Sequence, residues 1–155
     1  MKKRYTIREM RASDIPSILG IERRSFPTPW TEWMFESQLG FKGVSINIVL
    51  EAEDRISGYA IAWVAYDEIH LLSIAVAPED RRRGYGRALL EEIIERGGTR
   101  GGSLVVLEVR EGNDPARTFY ENMGFRVIGK RKKYYIDTGE DAFVMALQLR
   151  SGTHG

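Results

Sequence analysis

Residues 73–94, which read SIAVAPEDRRRGYGRALLEEII, constrain the fold more than any other part of the sequence. The β-rich run at 73–77 stops at Pro78, which cannot donate a hydrogen bond to a strand ladder. From residue 84 onward, apolar side chains recur with a helical period. Arginines and glycines dominate the segment between the β-rich run and the helix. The stretch therefore predicts a strand, a basic turn and a helix, in that order.

The basic turn at the start of this helix predicts an anion site. A helix start exposes N–H groups and a positive dipole end, and Gly84 and Gly86 let a phosphate approach the backbone closely. A P-loop would need a lysine after Gly86, and a Rossmann turn would need glycine where Leu89 stands. We interpret the turn as a pyrophosphate cradle. The alternative is a solvated basic turn that caps the helix.

Composition narrows the class of protein. The chain has 155 residues, of which 43% are hydrophobic, and this predicts a single domain over residues 1–150 with a short tail at 151–155. A net charge of +1 does not call for a nucleic-acid partner. With no cysteine, a disulfide, a cysteine–zinc site and a cysteine acyl-enzyme are excluded. No apolar run approaches the roughly 20 residues of a membrane span, so we expect a cytoplasmic protein without membrane attachment.

The order of elements predicts the fold class. A strand and two helices come first, with Ser13 capping the first helix and Thr31 starting the second. Three strand-like runs follow, then the cradle helix, a flexible glycine connection at 97–102, a strand at 103–109 and a helix capped by Asn113 or Asp114. The last strands are expected at 125–128 and 142–149. This is an α+β order, with a mixed, mostly antiparallel sheet and helices on both faces. One right-handed crossover through the cradle helix should connect the strand at 69–77 to the strand at 103–109.

Four segments carry a family resemblance: FPTPW, DEIHLLSIAVAPEDRRRGYGRALL, LEVREGNDPARTFYENMGF and KKYYIDTGEDAFVMAL. Together they resemble the Gcn5-related N-acetyltransferases (GNAT), and in particular the protein N-terminal acetyltransferases of the ribosomal-protein alanine group. The resemblance implies the GNAT fold with a twisted sheet of about seven strands. It also implies acetyl-CoA as cosubstrate without a metal, and a protein or peptide N-terminus as acceptor, possibly that of a ribosomal protein.

Two residues are candidates for proton transfer. The resemblance implies that Tyr120 donates a proton to the leaving thiolate, and the alternative is a tyrosine that only packs in the core. Glu108 interrupts an apolar strand, where a carboxylate is costly unless it is paired or used, so it is the candidate base. The alternative for Glu108 is an ion pair with an arginine such as Arg110 or Arg126. Glu68 and His70 could serve the same purpose through water.

The resemblance also implies the cosubstrate contacts. Backbone groups of the strand that precedes the basic turn should bind the pantetheine arm. Asn113 should hold the arm or its waters, and the basic turn should surround the pyrophosphate. The residues concerned are Ile74, Ala75, Val76, Arg81, Arg82, Arg83, Gly84, Tyr85, Gly86, Arg87 and Asn113.

Two polar-aromatic segments are candidates for acceptor binding. Phe26 and Trp30 lie in the first, and Tyr134 and Tyr135 begin the second. An α-amine has a pKa of about 8 and lysine one of about 10.4, so an α-amine is the easier acceptor at neutral pH. Three functions remain open at this point: acetylation of a protein N-terminus, acetylation of lysine or a small amine, and a CoA-binding or ribosome-docking module without catalysis.

Overall fold

A computed structural model describes residues 4–149. The predicted tail at 151–155 lies outside this part of the chain. This part of the chain contains seven strands and four α-helices, with 3₁₀ turns at Ala12–Asp14 and Pro78–Asp80. Their bounds are β1 Tyr5–Glu9, α1 Ile15–Ser25, α2 Glu32–Leu39, β2 Ser45–Ala52, β3 Arg55–Ala65, β4 Glu68–Val76, α3 Tyr85–Thr99, β5 Leu104–Arg110, α4 Asp114–Asn122, β6 Arg126–Tyr135 and β7 Glu140–Gln148.

The strands form one sheet in the order β1-β2-β3-β4-β5-β7-β6. All neighbours pair antiparallel except β4 and β5, which are parallel and joined through α3. The predicted fold class is confirmed.

Two hydrophobic cores lie on opposite faces of the sheet. Side chains alternate along β3, so Tyr59 and Ile61 pack in the core with α1 and α2, while Ala60 and Ala62 pack in the core with α3. Both faces of the central strands are therefore buried, which explains their nearly continuous apolar sequences.

The sheet separates between β4 and β5. Only three residue pairs join these strands, ending at His70 with Val106. Beyond that point β4 continues alongside β3 and β5 continues alongside β7. Leu72 has no partner in the β3–β4 register, which marks a bulge at the start of the separation. The unpaired edges of both strands face each other across the resulting gap.

Several predicted boundaries were wrong. Ser13 lies within the 3₁₀ turn, and Asp14 is the N-cap residue of α1. The Asp14 carboxylate does not cap α1. It accepts hydrogen bonds from the Arg11 backbone N–H and from the Arg8 guanidinium. On α2, Trp33 is 73% exposed although its side chain is apolar.

Gly97 and Gly98 are part of α3 and not of a flexible connection. A Cβ on Gly97 would lie 2.4 Å from Ile69 Cδ1, so glycine is required there for the helix to approach β4 closely.

The last hairpin is longer than predicted. β6 runs through the polar stretch to Tyr135 instead of ending at residue 128. It lies at the edge of the sheet, and its residues from Arg126 to Tyr134 are exposed. An edge strand rich in lysine and arginine has no apolar alternation to reveal it, and charged edges are a usual protection against unwanted pairing.

Candidate active site

A cavity of about 530 Å³ opens where β4 and β5 separate. Its walls come from Leu71 to Ile74 on β4, from Leu107 to Arg110 on β5, from the α1–α2 loop, from α4 and from the β6–β7 turn. Eight of the residues predicted from sequence line it: Phe26, Trp30, Ile74, Glu108, Asn113, Tyr120, Tyr134 and Tyr135. The remaining predicted residues lie outside this lining.

Tyr120 lies in the last turn of α4 and packs edge-on against the rings of Phe119 and Phe125, at centroid distances of 5.2 and 5.6 Å. The residue is buried and also borders the cavity. Burial raises the pKa of Tyr120, and the neighbouring Tyr135 raises it further. The phenol is therefore protonated at neutral pH and is available only as a proton donor.

Glu108 is held by His70 and Arg131. Its Oε1 lies 2.7 Å from His70 Nε2, and its Oε2 lies 3.6 Å from Arg131 Nε. The alternative of an ion pair with an arginine is thus met by Arg131 and not by Arg110 or Arg126, which were named for it; Arg110 pairs with Asp137 and Glu140. Burial alone would raise the pKa of Glu108, but the hydrogen bond and charge of His70, together with Arg131, lower it overall. Glu108 is therefore ionised at neutral pH.

His70 and Glu68 both lie outside the cavity lining. The His70 side chain is 37% exposed, so the His70–Glu108 pair extends from the cavity wall to solvent. Glu68 is exposed at the beginning of β4, opposite Leu104.

Asn113 caps α4 and borders the cavity. Its side-chain oxygen accepts a hydrogen bond from the Ala116 backbone N–H at 3.2 Å, as the cap prediction required. The side-chain amide group can still donate to a molecule in the cavity.

The basic turn follows β4 directly. Gly84 has φ +81°, a left-handed conformation that disfavours any residue with a Cβ. A Cβ on Gly86 would stand 3.6 Å from Phe119 Cζ, which is ordinary contact, so the protein's own packing does not require glycine there. Tyr85 has its side chain in the core against Tyr5, so only its backbone is available to a ligand.

Most arginines of this turn have protein partners. Arg81 donates to Val76 O and to Ser25 Oγ, Arg83 pairs with Glu53, and Arg87 pairs with Glu91. Over residues 4–149, no hydrogen bond or ion pair is formed by the Arg82 side chain. Arg82 is thus the arginine with the least competition for an incoming anion.

The two predicted acceptor segments contact each other. Asp137 in the β6–β7 turn accepts from Thr28 Oγ1 at 2.6 Å and from both terminal nitrogens of Arg110 at 2.8 and 3.0 Å. Arg110 also stacks over Tyr135 at 4.0 Å. The Arg110 hydrogen bond, followed by that of Thr28, holds the pKa of Asp137 well below its usual range. One side of the cavity is therefore a fixed charged network.

Glu22 was missed in the sequence. It lies on α1, borders the cavity and is only 2% exposed. Its Oε2 accepts the Trp30 backbone N–H at 2.9 Å, and its Oε1 accepts the Tyr59 hydroxyl. Burial raises the pKa of Glu22 although these hydrogen bonds oppose the shift. The signal was present, since Glu22 continues the apolar face of Ile15 and Ile18 at helical spacing.

Over the described residues 4–149, no group of His, Asp and Glu side chains is placed to hold a metal ion. The same part of the chain contains no helix that is both long and apolar enough to cross a membrane.

This geometry agrees with sequence comparison. The model of the acetyltransferase (GNAT) family matches residues 15–125, and the chain belongs to this family, whose acetyltransferases use acetyl-CoA. It is 40% identical over 146 residues to the [ribosomal protein bS18]-alanine N-acetyltransferase of Salmonella typhimurium and 38% identical to that of Escherichia coli. Each alignment covers 93% of this chain and 97% of the relative.

Solved structures give the same result. The Escherichia coli ribosomal-protein-S18-alanine N-acetyltransferase superposes with a TM-score of 0.84 at 38% identity, covering 94% of each chain. Ard1 from Thermoplasma volcanium superposes with a TM-score of 0.88 at 26% identity, covering 96% of this chain and all of that one.

Proposed function

We propose that this protein transfers the acetyl group of acetyl-CoA to the N-terminal α-amine of a protein, and that a ribosomal protein such as bS18 is the acceptor. The observation that carries the proposal is the cavity between β4 and β5, which Glu108, Tyr120 and both aromatic segments border. The names of the relatives supply the acceptor class. Residues 1–150 are proposed to act as one catalytic domain, and a cytoplasmic location remains a prediction.

The gap between the strands suits an extended ligand with amide groups. Backbone N–H and C=O groups of β4 beyond His70 have no partner strand on the side of β5. Such groups need partners when they are buried. The backbone of Ile74, Ala75 and Val76 would hold the pantetheine arm, the Asn113 amide would bind near it, and Arg82 with the N–H groups at the start of α3 would bind the pyrophosphate.

Acetyl-CoA supplies the acetyl group as a thioester, so a C–N bond forms, the C–S bond breaks, one proton leaves the amine and one reaches the sulfur. Tyr120 is proposed to hold the proton that the sulfur needs, because its buried phenol stays protonated. Packing on two sides fixes the ring and therefore the direction of the hydroxyl. Transfer is direct, since the chain has no cysteine to carry the acetyl group.

Glu108 is proposed to accept the proton from the amine, and His70 is proposed to hold the carboxylate in place. Glu108 borders the cavity and is ionised, and its oxygen contacts a histidine whose side chain reaches solvent. A carboxylate with a low pKa keeps a proton only briefly, so release of the proton to water completes the step, while His70 Nε2–H continues to donate to the carboxylate.

An acceptor with an α-amine fits best because about one α-amine in four is neutral at pH 7.5, whereas roughly one lysine in a thousand is. The test is incubation of the enzyme and acetyl-CoA with peptides that begin with alanine, analysed by mass spectrometry. Matched peptides carry a blocked N-terminus and a free lysine, and polyamines represent small amines. Acetylation confined to free N-termini is expected. Acetylation of the blocked peptides or of polyamines would favour the second enzyme function, and CoA binding without any turnover would favour the non-catalytic module.

A further inference from the structure

Glu22 connects the acceptor loop, defined as residues 26–30, to the centre of the sheet. Its two carboxylate oxygens are divided between the backbone N–H of Trp30 in that loop and the hydroxyl of Tyr59 on β3. The Tyr59 hydroxyl also lies 3.4 Å from Ser73 Oγ on β4. Ser73 is the residue after the bulge at Leu72, where β4 leaves β5 and the cavity begins.

A buried carboxylate is costly, and this one has no arginine or lysine among its hydrogen-bond partners in residues 4–149. Its contacts are a backbone N–H and a phenol, both of which are otherwise difficult to satisfy in the core. These hydrogen bonds offset part of the cost of burial, and because one of them ends in the loop, they hold one specific loop conformation. The ring of Trp30 is held as well, because it packs against Phe35 at a centroid distance of 5.1 Å.

We propose that Glu22 is the positioning residue for the acceptor: it fixes the acceptor loop relative to β4, so that the wall that receives the peptide N-terminus is already formed before binding. This inference rests on the proposed function for the identity of the acceptor. The statement that Glu22 holds the loop in one conformation does not depend on that function. Glu22 acts through Trp30 and Phe26, which border the cavity on the acceptor side.

Asp14 provides a matched control for a purely structural role. It is also a buried carboxylate at α1, bound by Arg8 and by the Arg11 backbone N–H, and it is not part of the cavity lining. If Glu22 only stabilises the fold, Glu22→Leu and Asp14→Asn should behave alike, with lower melting temperatures and unchanged KM values.

The experiment measures three quantities on the full chain: KM for an alanine-starting peptide, KM for acetyl-CoA, and amide hydrogen exchange of the Trp30 N–H. Glu22→Leu keeps the packed volume but removes both acceptors. We expect the exchange of Trp30 and the peptide KM each to rise about tenfold to 100-fold, the range of a lost charge-assisted hydrogen bond, while the KM of acetyl-CoA stays unchanged. Glu22→Gln, whose amide oxygen can still accept from Trp30, should restore most of both values.

An unchanged exchange rate at Trp30 in Glu22→Leu overturns the proposal, and so does an unchanged peptide KM. If Glu22→Leu does not fold, the same two readings on Tyr59→Phe, which removes the other partner of Glu22, decide: this variant must show faster Trp30 exchange than Asp14→Asn, or the proposal fails. A wild-type protein that acetylates no peptide N-terminus would overturn the proposed function, and Trp30 exchange would then still decide whether Glu22 holds the loop.

Discussion

Tyr120→Phe should separate chemistry from packing at the centre of the cavity. The substitution removes one hydroxyl and keeps the ring, whose contacts with Phe119 and Phe125 do not involve the oxygen. If Tyr120 is the proton donor, kcat should fall by about 100-fold to 10,000-fold, the usual contribution of a positioned acid. Because the phenol is protonated in the resting protein, no charge is lost, and CoA affinity should stay unchanged.

The magnitude for stability follows from burial. Tyr120 is 8% exposed, so truncation to alanine should destabilise the fold by about 3–5 kcal/mol, as other buried aromatic residues do. For a domain of this size each kcal/mol shifts Tm by about 2–4 °C, which gives a fall of about 6–20 °C for Tyr120→Ala. Tyr120→Phe should retain nearly all of the wild-type Tm.

The assay is initial-rate release of CoA thiol with a saturating peptide, alongside thermal unfolding of the same samples. Tyr5→Phe is the control, because it removes a hydroxyl from a packed ring outside the cavity lining. Near-normal kcat in Tyr120→Phe, together with the large Tm loss in Tyr120→Ala, would refute the assignment and leave Tyr120 as a packing residue.

Three further predictions concern the base, the cradle and acid stability. Glu108→Gln should lower kcat about 100-fold near neutral pH, and by less at higher pH, where more of the amine is already neutral. The control Glu111→Gln, which breaks an exposed pair with Lys130, should leave kcat unchanged. Gly86→Ala should weaken CoA binding in calorimetry without lowering Tm, since its Cβ meets only ordinary contacts; Gly98→Ala, in open space on the same helix, should leave binding unchanged. The Arg8 hydrogen bond lowers the pKa of Asp14, so the ionised carboxylate stabilises the fold above its unfolded value of about 3.9. The Tm deficit of Asp14→Asn should therefore be constant above about pH 5 and shrink as the pH falls through the lower folded value; a deficit independent of pH would contradict this.

The sequence predicted most elements because local patterns and tertiary packing agree in this chain. The Asn113 cap, the Thr31 cap and the parallel arrangement of β4 and β5 around α3 all followed from turn chemistry or element order. The wrong predictions have a tertiary cause. Gly97 looks like a helix terminator, yet it lies within α3 because only glycine lets the helix pass Ile69 at this distance.

The site was predicted as separate residues and not as an arrangement. Spacing along a chain cannot show that His70 on β4 reaches Glu108 on β5, or that Arg110 binds Asp137 instead. Such pairs depend on the strand register and on where each side chain points. Glu22 could have been noticed as a carboxylate on a buried helix face, but its partners Trp30 and Tyr59 come from other elements.

The active-site geometry follows from the neighbour that each central strand keeps. β4 stays paired with β3 up to Val76, and β5 stays paired with β7 up to Arg110, so neither strand depends on the other after His70. The separation therefore does not reduce the cohesion of either half of the sheet, and it leaves two rows of backbone groups facing one gap. A ligand arm that carries its own amides can pair with these backbone groups as a strand would, so the fold does not have to rearrange to bind it. Because β4 leads through the 3₁₀ turn at Pro78–Asp80 to the glycine turn, and β5 leads to the Asn113 cap, the same separation directs the ends of both strands toward the ligand.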